Sequence, residues 1–358
     1  MSSEELRFMS NQLSYLQCPE CKTSNLVYLI DKYECGCCRS AYSFLGPNSV
    51  NLLRNNKLTK TKKSIQEFWG DTCQQWYSSF DDGLDQEKLL KNLKYLEDMF
   101  RQRRHLATTE LKLDELKNQR LLEIGCGGGG HSALFRNYGA NVTAVDITPE
   151  RVTSTAKKLM ILDQRGETGS GVAFLADAED LPFEANYFDI VYSNGVLHHS
   201  ENTEKCIDEI FRVLRPGGKA IVMLYNKNSV YYWTSIFLKG ILSGGIFKYP
   251  NAEWIGRITE GIPKYGVTKN PITRFYSKKE IARLFSKFNI ISLRKNSFRF
   301  SDLPKLSFAY NLLLKICGHK EHPGGIIVYG KPILCESKLE LALGSSIGFG
   351  WNISAQKE

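Results

Sequence analysis

Long apolar runs are absent from this sequence, which excludes an ordinary membrane-spanning helix of about 20 residues. The nearest stretch, residues 229–247, is interrupted by Lys239 and by several glycines. The first residues also lack the positive charge and apolar core of a secretory signal, because Glu4 and Glu5 stand there instead. We therefore expect a protein without a transmembrane segment that stays in the cytoplasm.

Proline is scarce, with 11 residues in 358, and the sequence contains neither internal repeats nor low-complexity tracts. A hydrophobic content of 42% and a charged content of 24% exclude the polar, charge-rich composition of a disordered chain. The length suffices for one large domain and a smaller module. We predict a small module over residues 1–55, a linker and helical segment over residues 56–118, and a main domain over residues 119–358.

Acidic residues are scarce between residues 226 and 330, where 5 Asp and Glu accompany 17 Lys and Arg. This local surplus exceeds the net charge of the whole chain, which is +9. Concentrated positive charge can attract phosphate or another anion, although many such runs are only solvated surfaces. The positive charge is therefore compatible with an anionic partner but does not establish one.

Cysteine is concentrated near the amino terminus, where five of the ten cysteines fall between residues 18 and 38. Cys18 and Cys21 form one pair with two residues between them, and Cys35 and Cys38 form a second such pair after thirteen intervening residues. This spacing is typical of a zinc ribbon, in which four thiolates close a tetrahedral structural site. Cys37 could replace Cys35 or Cys38, and free cysteines are the alternative to a metal.

Short apolar stretches alternate with helical patterns after residue 119, which predicts a doubly wound α/β domain with a mainly parallel sheet. We expect seven strands in this sheet, at residues 120–126, 141–147, 172–176, 188–193, 219–225, 289–293 and 347–355. The aromatic and basic stretch at about residues 226–288 interrupts the alternation, and we interpret it as an inserted lid. Its Tyr231, Tyr232 and Trp233 either line a pocket or form the apolar face of a packing helix.

Four consecutive glycines, at residues 127–130, follow the first of these strands and precede a predicted helix. Glycine fits a turn that needs positive φ, and it lets a ligand lie against bare main chain. The spacing of Gly125, Gly127 and Gly130 satisfies the dinucleotide fingerprint, so the glycines alone leave both a nicotinamide cofactor and S-adenosylmethionine open. Asp146 ends the next strand, where a carboxylate can accept both hydroxyl protons of a ribose.

Five blocks between residues 118 and 226 resemble, in order, the motifs of class I S-adenosylmethionine-dependent methyltransferases. Residues 123–129 resemble the first motif, residues 141–146 the second and residues 176–183 the adenine-binding block, and residues 188–199 and 212–218 complete the series. The resemblance implies S-adenosylmethionine as the cofactor and implies that Asp177 faces the adenine amine. The implied cofactor-binding residues are Glu123, Gly125, Gly127, Gly129, Asp146, Asp177, Ala178 and Asn194.

The first module carries a resemblance of its own, through residues 39–42 that continue the second cysteine pair. It resembles the small zinc-binding protein that activates tRNA and protein methyltransferases, here fused in cis. The resemblance supports a structural zinc ion on Cys18, Cys21, Cys35 and Cys38.

Candidate catalytic groups follow the fourth and fifth predicted strands. Methyl transfer from a sulfonium is an in-line displacement, so the protein mainly aligns and desolvates the reactants, and a hydroxyl or ammonium acceptor also needs a general base. His198 and His199 lie beside the place where the family presents the methyl group, although a histidine there can simply cap the next helix. Tyr225, at the end of the fifth strand, is the alternative.

Three functions remain open from the sequence. The first is an enzyme that methylates a small molecule, such as a natural-product, sugar or lipid precursor, on oxygen or nitrogen. The second is a tRNA or rRNA methyltransferase that uses the zinc ribbon and the basic insertion to hold RNA. The third is a cofactor-binding protein without activity. Residues 194–197, Asn-Gly-Val-Leu, stand where an Asn-Pro-Pro-Tyr-type nucleobase motif would be, which favours the small-molecule enzyme.

Overall fold

The computed structural model describes residues 14–29, 31–54, 58–76, 78–166, 168–259, 269–303 and 306–358. The first thirteen residues of the predicted amino-terminal module lie outside the described residues, and so do residues 260–268 of the predicted lid. Among the helices that are described, none is both long and apolar enough to cross a membrane.

Eleven strands in the described part of the chain form one sheet. In chain order they are β1 (Leu26–Tyr28), β2 (Lys32–Cys35), β3 (Ala41–Gly46), β4 (Ser49–Asn51), β5 (Arg120–Ile124), β6 (Asn141–Asp146), β7 (Ser170–Leu175), β8 (Phe188–Asn194), β9 (Leu214–Tyr225), β10 (Asn289–Asn296) and β11 (Gly350–Gln356). Their order across the sheet is β1-β2-β3-β4-β7-β6-β5-β8-β9-β11-β10.

The seven predicted strands are present as β5 to β11, and the prediction of a mainly parallel α/β core is confirmed. β7, β6, β5, β8 and β9 run parallel to their neighbours, whereas β11 lies between β9 and β10 and is antiparallel to both. The strand order reverses between β5 and β8, and ligands of open α/β sheets bind beside the carboxyl ends of strands at such a reversal. β11 begins three residues later than predicted, because a helix continues to Ile347.

The cysteine-rich module continues the central sheet rather than standing apart from it. β4 pairs in parallel with β7, where Ser49, Val50 and Asn51 lie opposite Ala173, Phe174 and Leu175. The N–H of Leu52 donates a further hydrogen bond of 2.8 Å to the carbonyl of Leu175. The sequence patterns that predict a small module over residues 1–55 carry no indication of this pairing.

Fourteen α-helices are present among the described residues. They are α1 (Lys60–Trp76), α2 (Ser78–Asp81), α3 (Gln86–Gln102), α4 (Leu106–Thr109), α5 (Gly130–Asn137), α6 (Pro149–Asp163), α7 (Thr203–Val213), α8 (Leu238–Leu242), α9 (Gly245–Lys248), α10 (Asn251–Thr259), α11 (Lys278–Leu284), α12 (Ser307–Ile316), α13 (Ile326–Tyr329) and α14 (Lys338–Ile347). Short 3₁₀ turns span Leu113–Glu115, Leu197–His199, Phe300–Asp302 and Pro323–Gly325, and a π-helical segment spans Tyr232–Phe237.

Both faces of the sheet are buried, because neighbouring strand residues point to opposite sides. Leu121 of β5 packs into a cluster with residues of α3, α5 and α6. The next residue, Leu122, packs into a second cluster with α7, α11 and the cysteine-rich module. This alternation produces the doubly wound arrangement that the sequence predicts.

Two insertions, rather than one, interrupt the core near its last strands. The predicted insertion lies between β9 and β10 and has a small core of its own, made of Tyr232, Ile236, Trp254, Ile255 and Phe275. A second insertion, over residues 297–349, lies between β10 and β11 and was not predicted as a separate feature. Its short apolar pieces lack the long periodic pattern that would have marked it in the sequence.

Candidate functional site

The loop after β5 can be built only from glycine at two of its positions. Gly125 and Gly129 have φ values of +76° and +78°. A Cβ atom would lie 2.3 Å from Cγ2 of Val196 at the first position and 2.7 Å from Cα of Thr155 at the second. The loop therefore presents bare main chain beside the carboxyl end of β5, which is the cradle that a nucleotide-like cofactor requires.

Asp146 joins this loop to the end of β6. Its Oδ2 atom accepts the N–H of Gly127 over 3.1 Å, and its Oδ1 atom accepts the N–H of Thr148 over 3.0 Å. The side chain is 7% exposed. Each carboxylate oxygen has one backbone donor and keeps a lone pair for a further hydrogen bond, so the group can still accept a hydroxyl proton.

Asp177, after β7, is held by a lysine from a distant part of the chain, which no sequence motif connects with it. Lys62 of α1 donates to Oδ2 of Asp177 over 2.6 Å and lies 2.9 Å from Oε2 of Glu179. The N–H of Glu179 donates to Oδ1 of Asp177 over 2.9 Å. Burial lowers the pKa of Lys62, but the hydrogen bonds and charges of the two acids outweigh it and raise the pKa. α1 thereby closes the Asp177 end of the site with a cation.

Glu123 lies beneath the glycine loop. It is 1% exposed and accepts a hydrogen bond from the hydroxyl of Ser132, while Nδ1 of His131 lies 3.7 Å from its Oε1. Burial, reinforced by the charge of Asp146, raises the pKa of Glu123 to about 8, against the hydrogen bonds of Ser132. Burial lowers the pKa of His131 to about 4. Both groups are therefore neutral between these values, and their contact is not an ion pair.

A cavity of about 540 Å³ connects these elements. Its wall includes most of the residues predicted from the sequence: Gly125, Gly127, Asp146, Asp177, Ala178, Asn194, His199 and Tyr225. Glu123, Gly129 and His198 do not form part of the wall. Gly195, next to Asn194, has a φ of +75°, and a Cβ there would meet no atom within 4 Å, so this main chain faces open space.

The three predicted catalytic side chains are adjacent to one another but differ in access. His198 is fully buried, and neither ring nitrogen has a hydrogen-bond partner among the described residues. Burial, and secondarily His199, lowers the pKa of His198 well below its ordinary value. Its ring lies 3.6 Å from that of Tyr225, centroid to centroid. His198 therefore supports Tyr225 from behind rather than facing the cavity.

His199 faces the cavity and is fixed by the residues that return from the first insertion. Its Nδ1 atom lies 3.0 Å from Nδ2 of Asn270, 3.1 Å from the carbonyl of Ile272 and 3.2 Å from Oγ1 of Thr273. Trp69 of α1 packs against the ring with a centroid distance of 5.2 Å. The ring is thus oriented by three polar groups and one aromatic side chain.

Another part of the cavity wall is formed by residues that sequence reasoning missed. They come from the segment after α3, from the start of α5, from the end of β10 and from the second insertion: Arg103, His105, His131, Asn296, Ser297, Arg299, Asp302, Ile327, Val328, Tyr329 and Phe349. Arg103 makes two hydrogen bonds of 2.7 Å to Glu336. Only tertiary structure brings these segments together, so no local pattern could have indicated them.

Two neutral histidines lie in this wall. Nδ1 of His105 accepts the N–H of Ala107 over 3.2 Å, which leaves the proton of a neutral ring on Nε2. Burial, with smaller contributions from His131 and nearby arginines, lowers the pKa of His105 well below its ordinary value. Nε2 of His131 is buried without a hydrogen-bond partner among the described residues. The wall therefore offers polar ring nitrogens without positive charge.

The four predicted metal ligands come together in the cysteine-rich module. The Sγ atoms of Cys18, Cys21, Cys35 and Cys38 all lie within 4.8 Å of one another, and this set does not include Cys37. Two of the separations, Cys18 to Cys38 and Cys21 to Cys35, are 3.5 Å. Tetrahedral zinc with Zn–S bonds near 2.3 Å separates its sulfurs by about 3.8 Å, so the four thiols fit that ion.

Comparison with known proteins matches the part of the chain that holds the glycine loop, Asp146 and Asp177. Residues 122–222 match the family model described as a methyltransferase domain. The chain is 35% identical over 120 residues to a sterol 4-C-methyltransferase of Caenorhabditis elegans, which covers 34% of this chain and 35% of that protein. It is 31% identical over 117 residues to a malonyl-[acyl-carrier protein] O-methyltransferase of Enterobacter lignolyticus, which covers 33% and 43%.

These alignments span less than half the length of the curated relatives. Among solved structures, the magnesium protoporphyrin IX methyltransferase of Synechocystis PCC 6803 aligns over 84% of this chain and 100% of its own, with 12% identity and a TM-score of 0.46. The matched residues 122–222 contain the glycine loop, Asp146, Asp177 and Asn194.

Proposed function

Because the chain belongs to the class I S-adenosylmethionine-dependent methyltransferases through residues 122–222, we propose that it transfers a methyl group from this cofactor to a small-molecule acceptor. The observation that carries the proposal is one cavity whose wall joins the bare glycine loop, Asp146 and Asp177 to His199 and Tyr225. Cofactor-holding groups and groups able to move a proton therefore face the same space.

The residues present fit the cofactor. S-adenosylmethionine, when bound, supplies a methyl group that is already activated by the sulfonium charge. Gly125 and Gly127 let the main chain approach it, and Asp146 would accept the ribose hydroxyl protons. Asp177, with Ala178 beside it, would accept the adenine amine, and Asn194 would close the side near β8. Gly129 starts α5 at the required angle, and Glu123 supports the loop from below.

His199 and Tyr225 would act on the acceptor. Both face the cavity, and the three polar groups around Nδ1 of His199 fix its ring plane. A general base near neutral pH suits oxygen or nitrogen acceptors, which lose a proton on methylation. His198 would hold the ring of Tyr225 in place through their close, tilted ring contact.

The class of acceptor is supported by the relatives and by the cavity. The two curated relatives described above are named for a sterol and for a malonyl group carried on acyl-carrier protein. A cavity of about 540 Å³ lies within the range of small-molecule sites. We assign the acceptor to natural-product, sugar or lipid precursors, and we assign a structural zinc ion to the four clustered cysteines.

Methyl-labelled S-adenosylmethionine tests the proposal. The full-length, zinc-loaded protein is incubated with this cofactor and with cell extract, either untreated or treated with RNase. We expect label in the organic-soluble or small-molecule fraction, unchanged by RNase and lost in the Asp146→Ala variant. Label that disappears after RNase treatment would contradict a small-molecule acceptor, and no label in any fraction would contradict methyl transfer.

An RNA acceptor is the second candidate, and the observation that favours it is the excess of basic residues in residues 226–330, where 17 Lys and Arg accompany 5 Asp and Glu. RNA binding through phosphates weakens steeply as salt rises from about 50 to 200 mM, because bound counterions are released. Binding of an uncharged small molecule has no such dependence. If the protein binds bulk tRNA only weakly even at the lowest salt concentration, an RNA acceptor is eliminated.

A further inference from the structure

The first insertion exposes large apolar side chains on a short helical stretch. Leu238, Ile241 and Leu242 lie on one face of α8, because residues three and four apart are neighbours on a helix. Leu242 is 77% exposed, and Phe247 of α9 is 82% exposed. Trp233, in the π-helical segment just before α8, is 50% exposed. Side chains of this size usually lie in a core or against a partner.

The second insertion exposes a similar face. Leu312, Leu313 and Ile316 of α12 are all exposed, and Ile316 is 74% exposed. Their spacing of three and four residues again places them on one side of a helix. We call the two exposed faces, on residues 233–247 and residues 306–316, the apolar rim.

Both parts of the apolar rim pack against the same turn. The hydroxyl of Ser235 donates to the carbonyl of Asp302 over 3.1 Å. Tyr310 of α12 packs on Phe300 of the same turn with a centroid distance of 5.3 Å. Arg299 and Asp302 of this turn are also part of the cavity wall. The apolar rim therefore adjoins the part of the cavity wall that Arg299 and Asp302 form.

The charge of the two segments has one sign. Residues 230–250 and residues 306–320 together contain four lysines and no aspartate or glutamate. Lys239 and Lys248 are exposed between the exposed apolar residues of α8 and α9. A protein that covered the apolar residues would also bury these lysines. A membrane interface instead accepts apolar side chains at its acyl boundary and lysines among its headgroups.

We propose that the apolar rim docks the protein on the surface of a bilayer that carries anionic headgroups. Trp233 lies where an interfacial tryptophan is favoured, and the lysines add attraction to anionic lipids. Docking would hold the adjoining side of the cavity at the bilayer surface, from which a lipid-like acceptor can enter. That last consequence depends on the proposed methyl transfer, whereas the docking itself does not.

Vesicle co-sedimentation tests the docking with the full-length, zinc-loaded protein. Vesicles contain phosphatidylcholine alone or phosphatidylcholine with an equal part of phosphatidylglycerol. We expect binding to the anionic vesicles, with at least a roughly tenfold loss of affinity in the double variant Leu242→Glu, Phe247→Glu. The double variant Lys239→Glu, Lys248→Glu should lose more, because each lysine near an anionic surface contributes about fivefold.

A matched control separates docking from general surface changes. Ile291 is 54% exposed on β10, so Ile291→Glu makes the same kind of change outside the apolar rim and should bind vesicles like the unaltered protein. Equal melting temperatures and equal cofactor affinities for all variants show that folding is intact. The emission of Trp233 should shift to shorter wavelength on anionic vesicles, and this shift should be absent in Trp233→Phe.

Three results would overturn the proposal. They are no binding to anionic vesicles at low salt, equal binding to both kinds of vesicle, and a change from dimer to monomer in Leu242→Glu, Phe247→Glu by light scattering. The last would assign the apolar rim to a second copy of the chain. Because vesicle binding is measured without an acceptor, its failure is distinguishable from a failure of methyl transfer.

Discussion

At the scale of single residues, Asp146 connects the glycine loop to the proposed ribose position. The carboxylate accepts the backbone N–H groups of Gly127 and Thr148, one on each oxygen. In Asp146→Asn the amide NH₂ replaces one of these oxygens, so one of the two N–H groups loses its acceptor. Hydrogen bonds to a charged group contribute about 1.5–3 kcal/mol. We expect S-adenosylmethionine to bind at least roughly tenfold more weakly by calorimetry. Asp82→Asn, at an exposed position, is the control, and equal affinity in both variants would contradict the assignment.

Glu123 provides a prediction on pH, because burial raises its pKa to about 8 in the folded chain. As pH rises from about 4.5 to 8, the unfolded chain releases this proton and the folded chain keeps it, so the free energy of unfolding falls. Above about 8 this fall stops. Glu123→Gln keeps an oxygen to accept the Ser132 hydroxyl and has no proton to lose.

Urea denaturation at a series of pH values measures this effect. The stability of Glu123→Gln relative to the unaltered protein should rise through that window and then level off. A difference that stays constant with pH would mean that Glu123 is ionised in the fold.

Sequence patterns predict some residues of the site and miss others for a physical reason. Gly125 and Asp146 lie within single strand-to-loop junctions, where local spacing carries the information. Lys62 and Asp177 are 115 residues apart, and their contact exists only because α1 folds over the end of β7. Glu123 belongs to a recognisable motif, yet its neutral state below about pH 8 comes from its burial in the folded chain, which the motif does not show.

At the scale of elements, the cysteine-rich module and the central sheet share hydrogen bonds, so loss of the metal should affect more than the module. β4 pairs with β7, whose end leads to Asp177. We expect Cys38→Ser to lose bound zinc and to lower the free energy of unfolding of the whole chain by several kcal/mol. A chelator should act in the same way.

Cys37→Ser is the matched control for the zinc prediction, because Cys37 is exposed and lies outside the four clustered thiols. We expect elemental analysis to show one zinc ion in Cys37→Ser, and urea denaturation to show an unchanged free energy of unfolding. Zinc that is lost in Cys37→Ser and kept in Cys38→Ser would reassign the fourth ligand.

Apolar runs predicted most of the strands β5 to β11 because these strands are largely buried, whereas β10, at the edge of the sheet, is mostly half-buried. The same signal could not predict that β4 adds to the sheet beside β7. Three residues, Ser49 to Asn51, carry too little pattern, and their pairing depends on where the cysteine hairpins place them. The apolar rim could not be predicted from the hydrophobic pattern either. In the sequence Leu242 and Phe247 look like core residues, and only the folded structure shows that they are exposed.

At the scale of the whole molecule, the cavity is closed by segments that meet only in the folded chain, and the pair Arg103 and Glu336 joins two of them. Arg103 follows α3, and Glu336 belongs to the second insertion. Their two hydrogen bonds of 2.7 Å are almost completely shielded from solvent, and the guanidinium lowers the pKa of Glu336 against the effect of burial. Neither residue belongs to a motif.

Because this ion pair is buried, removing one partner leaves an uncompensated charge, whereas removing both does not. Arg103→Met or Glu336→Leu alone should lower the free energy of unfolding by about 3–5 kcal/mol, and the double variant should recover most of that loss. Urea denaturation of the four proteins of this cycle gives the coupling directly. If the two single losses simply add in the double variant, the pair does not act as one unit in holding the second insertion against the end of α3.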